Sequence, residues 1–281
     1  MNKEILAQII DFAVREDIGD GDHSSLACIP EEATGRMHLL VKETGILAGV
    51  DLAQMVFGRI DPFVKFKKLI ADGTSVNPGD IAFTVEGKVH SLLKSERLVL
   101  NIMQRMSGIA TVTRTYADRL QGLKTRVLDT RKTTPGVRML EKEAVRIGGG
   151  VNHRMGLYDM IMLKDNHIDF AGGIEKAILT TKKYLKETER SLKIEVETRN
   201  FDELEQVLTV GGIDRIMFDN FTPEQTREAV ARVAGRFETE SSGNITLDTI
   251  RDYAECGVDY VSVGALTHQI KSLDLSLKAI S

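Results

Sequence analysis

Between Asp129 and His167 the chain reads DTRKTTPGVRMLEKEAVRIGGGVNHRMGLYDMIMLKDNH, which gathers Arg131, Lys132, His153, Arg154 and Lys164 around Gly148, Gly149 and Gly150. The run Arg126-Val-Leu-Asp-Thr leads into Arg131-Lys132, and Met160-Ile-Met-Leu leads into Lys164. Each reads as a buried strand whose C-terminal end delivers a cation. From Arg126 to Lys164 eight bases stand against four acids, in a chain whose net charge is −4. A local basic cluster at strand ends in an acidic protein predicts a pocket for a small, highly charged anion. Arg138, Lys142 and Arg146 are set apart from it: their spacing of four is that of one solvated helix face. Further on, Ile194-Glu-Val-Glu and Ile216-Met-Phe-Asp end in the isolated acids Glu197 and Asp219. Ser241-Ser242-Gly243 and Val263-Gly264-Ala265 then offer hydroxyls and approachable backbone N–H groups, the chemistry of a phosphate cradle.

The elements that must position these groups follow a strand–helix rhythm from Arg126 onward. Strand ends are expected near Thr130, Leu163, Glu197, Asp219, Ser241 and Gly264, separated by helices over 138–147, 173–189, 201–210, 223–234 and 247–256. A charged or phosphate-friendly residue follows every strand at its C-terminal end, where a βα-barrel carries its active site. Only six strands are clear, with room for a hidden seventh. Before Arg126 the pattern differs. Residues 3–15 read as an amphipathic helix, and Glu16–Ser25 (EDIGDGDHSS) as a structural turn, since its acids lack calcium-loop spacing. Residues 35–86 alternate like strands of an antiparallel sheet, with a short helix over 51–58 and turns at Asp72-Gly73, Pro78-Gly79 and Glu86-Gly87. Residues 92–120 form the longest helix, with Gly108 as a kink or a point of close packing. Leu273, Leu275 and Leu277 alternate in the tail, as a strand would.

At 281 residues with 42% hydrophobic residues, the chain has material for one large or two moderate domains. Its acidic balance opposes nucleic-acid binding, and no uncharged run reaches membrane-spanning length. Acids and bases from Glu4 onward leave no signal peptide to expect. Cys28 and Cys256 show neither metal spacing nor a disulfide framework, and read as buried small hydrophobes in a reducing cytoplasm.

DTRKTTPG, GGGVNHRMGLYD and MLKDNH resemble the core of the quinolinate phosphoribosyltransferase family, and SERLVLNIMQRMSGIAT (95–111) and EDIGDGDHSS extend the likeness over nearly the whole chain. The resemblance implies an α/β fold: an open, about seven-stranded βα-barrel (109–267) plus an N-terminal α+β sandwich domain (1–108), joined by the tail at about 268–281. It implies the reaction of quinolinate with phosphoribosyl pyrophosphate to nicotinate mononucleotide, pyrophosphate and carbon dioxide, a decarboxylating pentosyl transfer in de novo NAD biosynthesis. It places Arg97, Thr130, Arg131, His153 and Arg154 around quinolinate, with Lys132 and Lys164 nearby, and makes Lys132, Lys164, Glu197 and Asp219 catalytic. Glu197 and Asp219 would serve the ribose hydroxyls and Mg2+. Ser241, Ser242, Gly243, Val263, Gly264 and Ala265 would hold the 5′-phosphate, and Asn244 stands where glycine is common. A homodimer, or a hexamer, is implied, with Arg97 reaching into the partner's site; Arg105 is read as structural. Competing readings are the family's molybdenum-transport paralogue, opposed by the intact TRK and NHR segments, and a non-catalytic anion-binding protein, opposed by Glu197 and Asp219 beside the bases.

Overall fold

The computed structural model describes residues 3–280. In chain order the first elements are α1 (Lys3–Ile18), α2 (His23–Cys28), β1 (Thr34–Val41), β2 (Gly45–Ile46), α3 (Val50–Ile60), β3 (Lys65–Lys68), β4 (Ser75–Val76), β5 (Ile81–Lys88) and α4 (Val89–Arg119). Then follow β6 (Arg126–Leu128), α5 (Arg138–Ile147), β7 (Ile161–Leu163), α6 (Asp165–Ala171), α7 (Ile174–Glu187), β8 (Ile194–Thr198), α8 (Phe201–Val210) and β9 (Arg215–Asp219). The last are α9 (Pro223–Val233), β10 (Glu238–Ser242), α10 (Ile250–Glu255), β11 (Tyr260–Ser262), α11 (Ala265–His268) and β12 (Leu275–Ile280).

Two compact units emerge. Among the described residues the first comprises residues 3–114, 133–149 and 266–280. Its main sheet runs β12-β1-β5-β3, all antiparallel, and the alternation of β1 buries Met37, Leu39 and Val41 on one face. Phe57 packs with Phe66 and Phe83 of β3 and β5 in tilted and edge-on ring contacts. The expected turn at Glu86-Gly87 is instead strand: Gly87 pairs with Gly35, and a Cβ there would press on Val64. Gly108 permits close packing without a kink, because α4 is continuous and a Cβ at Gly108 would meet the main chain of Lys271 and Ser272. The expected turn at Glu16–Ser25 resolves into the end of α1 and the start of α2, whose cap is Asp22 accepting the Ser25 N–H. Cys28 is exposed rather than buried; Cys256 is buried.

Helix α5, expected in the barrel domain, makes its closest contacts in the first unit. Gly148 at its end sits so tightly against Ala110 and Thr113 that no side chain fits, and Arg105 donates from Nε to Glu141 at 2.8 Å. The solvated face expected for Arg138, Lys142 and Arg146 is also corrected. Lys142 is fully buried, as is its neighbour Glu141; of the three bases only Arg146 is exposed. Four residues of spacing recur on either face of a helix, and which face packs is decided by its neighbours.

The second unit comprises residues 115–132 and 150–265. Its sheet runs β6-β11-β10-β9-β8-β7 with every pair parallel. Strands covered on both faces read as continuous buried runs, as in β8, where all five residues are buried. Val151 adds an isolated parallel bridge to Leu128, a one-residue seventh strand beside β6 too short to stand out in sequence. Asn200 caps α8 through the Glu203 N–H, and Thr222 with Gln225 forms a capping box on α9.

Candidate active site

In a parallel sheet every strand presents its C-terminal end to one edge, and the register fixes what meets there. Leu163 lies opposite Val196, Glu197 opposite Met217, Asp219 opposite Ser242, Ser241 opposite Val261, and Ser262 opposite Leu128. Lys164, Glu197, Asp219, Ser242, Val263 and the Thr130–Lys132 turn therefore share that edge. Lys164 Nζ reaches Glu197 Oε2 at 3.1 Å, joining β7 to β8 across the mouth. Thr130 Oγ1 accepts the Lys132 N–H at 3.0 Å and turns the chain, leaving Arg131 and Lys132 exposed.

Arg154 is buried and donates from Nη1 to the Met160 carbonyl at 3.2 Å. Its guanidinium is pulled below its ordinary value first by burial and then by the charge of Arg131. A guanidinium disfavoured by a neighbouring one is relieved by an anion, and a carboxylate answers a guanidinium in two-pronged fashion.

On the phosphate side, Asn220 donates from Nδ2 to Asp219 at 2.8 Å and accepts from Asn244 at 3.3 Å. Gly243 lies at φ +103°, and a Cβ on it would strike Asn220. Asn244 lies at φ +51°, a left-handed conformation that asparagine tolerates, which accounts for its standing where glycine is common. The Ser241 hydroxyl is not available to a phosphate at this edge: the residue is 1% exposed and lies on the opposite face of β10 from Glu240 and Ser242.

Below the mouth lies a buried polar layer that the sequence reading missed. His153 Nε2 lies 3.0 Å from Glu195 and 3.5 Å from Glu240, and Arg215 Nη1 lies 3.1 Å from Glu240. Burial raises the Glu195 carboxyl, with Arg215 opposing; burial and the charge of Glu195 push Glu240 up to about 8. The signal was present in Ile194-Glu-Val-Glu: alternation puts Glu195 on the same face as Glu197, one layer deeper. Among the described residues these three form the cluster close enough to ligate a metal ion. The ring disfavours that. His153 Nδ1 accepts the Arg154 N–H at 2.7 Å, so the ring proton sits on Nε2, the atom a metal would need. Arg215 beside Glu240 opposes a cation as well.

Glu197 and Asp219, on adjacent strands, are hard oxygen donors of the kind that hold magnesium together with substrate phosphates. They fit that ion as a pair completed by substrate oxygens, with Lys164 as the competing partner of Glu197. Arg97 belongs to the first unit, lies exposed on α4, and pairs with neither Glu96 nor Asp118 among the described residues.

An open βα-barrel with bases and two carboxylates at the strand ends defines a transferase for a phosphorylated, polyanionic substrate. Residues 22–107 and 109–278 match the models of the quinolinate phosphoribosyl transferase N-terminal and C-terminal domains. The chain belongs to the quinolinate phosphoribosyltransferase family. It is 46% identical over 288 residues to quinolinate phosphoribosyltransferase [decarboxylating] 1b of Nicotiana tabacum, covering 97% of this chain and 82% of that one. It is 40% identical to the probable nicotinate-nucleotide pyrophosphorylase [carboxylating] of Bacillus subtilis, covering 99% and 94%. The crystal structure of NadC from Streptococcus pyogenes superposes with a TM-score of 0.93 at 40% identity, covering 100% of this chain and 99% of that one.

Proposed function

We propose that the chain joins quinolinate to phosphoribosyl pyrophosphate and releases pyrophosphate, carbon dioxide and nicotinate mononucleotide. The Lys164–Glu197 pair at the edge that also carries Arg131, Arg154 and Asp219 carries this reading. Arg131 and Arg154 hold the two carboxylates of quinolinate, with Lys132 nearby and His153 in the wall behind. Both ring nitrogens of His153 face protein groups, so the ring supports the pocket rather than gripping a carboxylate through nitrogen. Glu197 and Asp219 hold the ribose hydroxyls, and the backbone N–H groups of Ser242–Asn244 and Gly264–Ala265 meet the 5′-phosphate. Magnesium, held by Glu197, Asp219 and the diphosphate, would neutralise charge on the leaving group.

The chemistry is electrostatic. The C1–O bond to pyrophosphate breaks as the pyridine nitrogen bonds to C1, and Lys132 and Lys164 stabilise the departing negative charge. The nitrogen, now cationic, stabilises the carbanion left when the bond to the 2-carboxylate breaks; carbon dioxide leaves and a proton takes its place. No protein nucleophile is required. A homodimer in which Arg97 completes the partner's quinolinate pocket is supported by the exposure of Arg97 and of the apolar Leu157, Tyr158 and Phe170. Two free cysteines suit a cytoplasmic setting, and no helix among the described residues is long and apolar enough to cross a membrane.

The test is quinolinate labelled in its 2-carboxyl carbon, incubated with phosphoribosyl pyrophosphate and Mg2+. Equimolar labelled carbon dioxide and nicotinate mononucleotide are expected. Donor binding without carbon dioxide release would favour a non-catalytic anion-binding protein.

A further inference from the structure

The buried layer beneath the mouth is too specific to be filling. His153 is held by two hydrogen bonds and lies at ion-pair distance from a carboxylate. Its main-chain N–H donates to Asp129 Oδ1 at 2.8 Å, its Nδ1 accepts the Arg154 N–H at 2.7 Å, and its Nε2 lies 3.0 Å from Glu195. The second contact decides the tautomer: a nitrogen that accepts an N–H carries no proton, so the neutral ring bears it on Nε2. The buried Nε2 faces two carboxylates at ion-pair distance, Glu195 being the nearer, and neither contact has hydrogen-bond geometry. Glu195 lies opposite Arg215 in the β8–β9 register. Arg215 in turn contacts Glu240 at 3.1 Å and Glu238 at 3.1 Å, and stacks 4.2 Å over Tyr260. Arg215 thereby braces Glu240 and Glu238 in the same layer.

We propose that Glu195 is a positioning residue for Arg154: it holds His153 as the neutral Nε2–H tautomer, and the ring's Nδ1 then fixes the main chain of Arg154 so that its guanidinium meets quinolinate. The chain of contacts runs from strand β8 through the imidazole to the backbone of the substrate-binding arginine. It rests on the proposed role of Arg154, and it goes further by tying quinolinate affinity to a glutamate that touches no substrate. A group acting this way alters one substrate's binding and leaves the other's alone.

Three enzymes are compared by steady-state kinetics: wild type, Glu195→Leu, which removes the facing carboxylate, and Glu195→Gln, which keeps an oxygen facing Nε2–H. Leaving a buried ring N–H without the polar group that faces it costs about tenfold or more. Glu195→Leu is therefore expected to raise KM for quinolinate by at least about tenfold and to leave KM for phosphoribosyl pyrophosphate within about twofold. Glu195→Gln should recover most of the loss. An unchanged quinolinate KM in Glu195→Leu, an equal rise in both KM values, or a Gln variant as impaired as Leu would overturn the proposal. Should the Leu variant fail to fold, two-bond 15N–1H spectra of wild type labelled at histidine decide it, with the His153 signal assigned by its loss in His153→Gln. An unprotonated Nδ1 is expected, and a protonated Nδ1 overturns the proposal. Absence of quinolinate turnover in the wild type would instead defeat the proposed function, while the spectra would still report on the tautomer.

Discussion

Lys164 Nζ lies 3.1 Å from Glu197 Oε2, a half-exposed ammonium over a carboxylate whose side chain is 8% exposed. In the proposed mechanism the lysine meets the charge of the departing pyrophosphate, and it is also the counter-ion of the buried Glu197 at the strand end. Lys164→Met removes both functions. Turnover is expected to fall about 100-fold, the size of one lost charge-stabilising donor. The thermal midpoint should fall too, because a buried carboxylate left without its partner is strongly destabilising. Steady-state rates and calorimetry on the same preparation check both, and near wild-type turnover would remove Lys164 from the mechanism.

Arg131 and Arg154 share the quinolinate carboxylates in the proposed site, and the charge of Arg131 helps hold the Arg154 guanidinium below its ordinary value. Arg131→Ala and Arg154→Ala are each expected to cut turnover at least about 100-fold. Since the two guanidiniums act on one ligand, the double variant should lose less than the product of the single losses. Full additivity in the double-mutant cycle would place them in separate sites.

Much of the second unit was legible because a parallel sheet writes its strands as short apolar runs and its site at their ends. The helix boundaries at Phe201–Val210 in that unit, and at Arg138–Ile147 in the first, coincide with expectation. What stayed hidden depends on contacts between residues distant in sequence. Nothing near Lys142 announces that its helix packs on all but its Arg146 edge. The neighbours that bury Gly148 lie at Ala110 and Thr113, more than thirty residues earlier. The Asp165–Ala171 helix is a single short segment starting at the site lysine, too brief to show a period. The His153–Glu195–Glu240–Arg215 layer draws on four separate segments. Single charged residues inside apolar strands were its only trace.

Glu240 links this layer to pH. Burial, then the charge of Glu195, raises its carboxyl from 4.5 to about 8 in the folded protein. The folded state then binds more protons than the unfolded state between these values, so stability falls as pH rises through that window. The contribution is fully present below about 4.5 and lost as pH passes about 8. Thermal midpoints of wild type and Glu240→Gln measured from pH 5 to pH 9 should converge or cross as pH rises, with wild type losing more. Parallel curves would mean that Glu240 is ionised throughout.

Gly243 and Asn244 both hold positive φ in the loop proposed to meet the 5′-phosphate, and they answer substitution in opposite ways. Asn244→Gly relieves a left-handed asparagine, at φ +51°, and removes only a 3.3 Å contact to Asn220. KM for phosphoribosyl pyrophosphate should stay within about twofold, since a long, exposed hydrogen bond contributes little net. Gly243→Ala puts a Cβ at φ +103° and 2.9 Å from the Asn220 backbone nitrogen, which must move. Asn220 orients the Asp219 carboxylate at 2.8 Å, so the disturbance passes from the phosphate loop to the ribose side. Backbone strain of this kind costs about 1–3 kcal/mol. KM for phosphoribosyl pyrophosphate is accordingly expected to rise about tenfold or more, with quinolinate binding by calorimetry unchanged. A Gly243→Ala enzyme that binds the donor normally would move the phosphate cradle away from this loop.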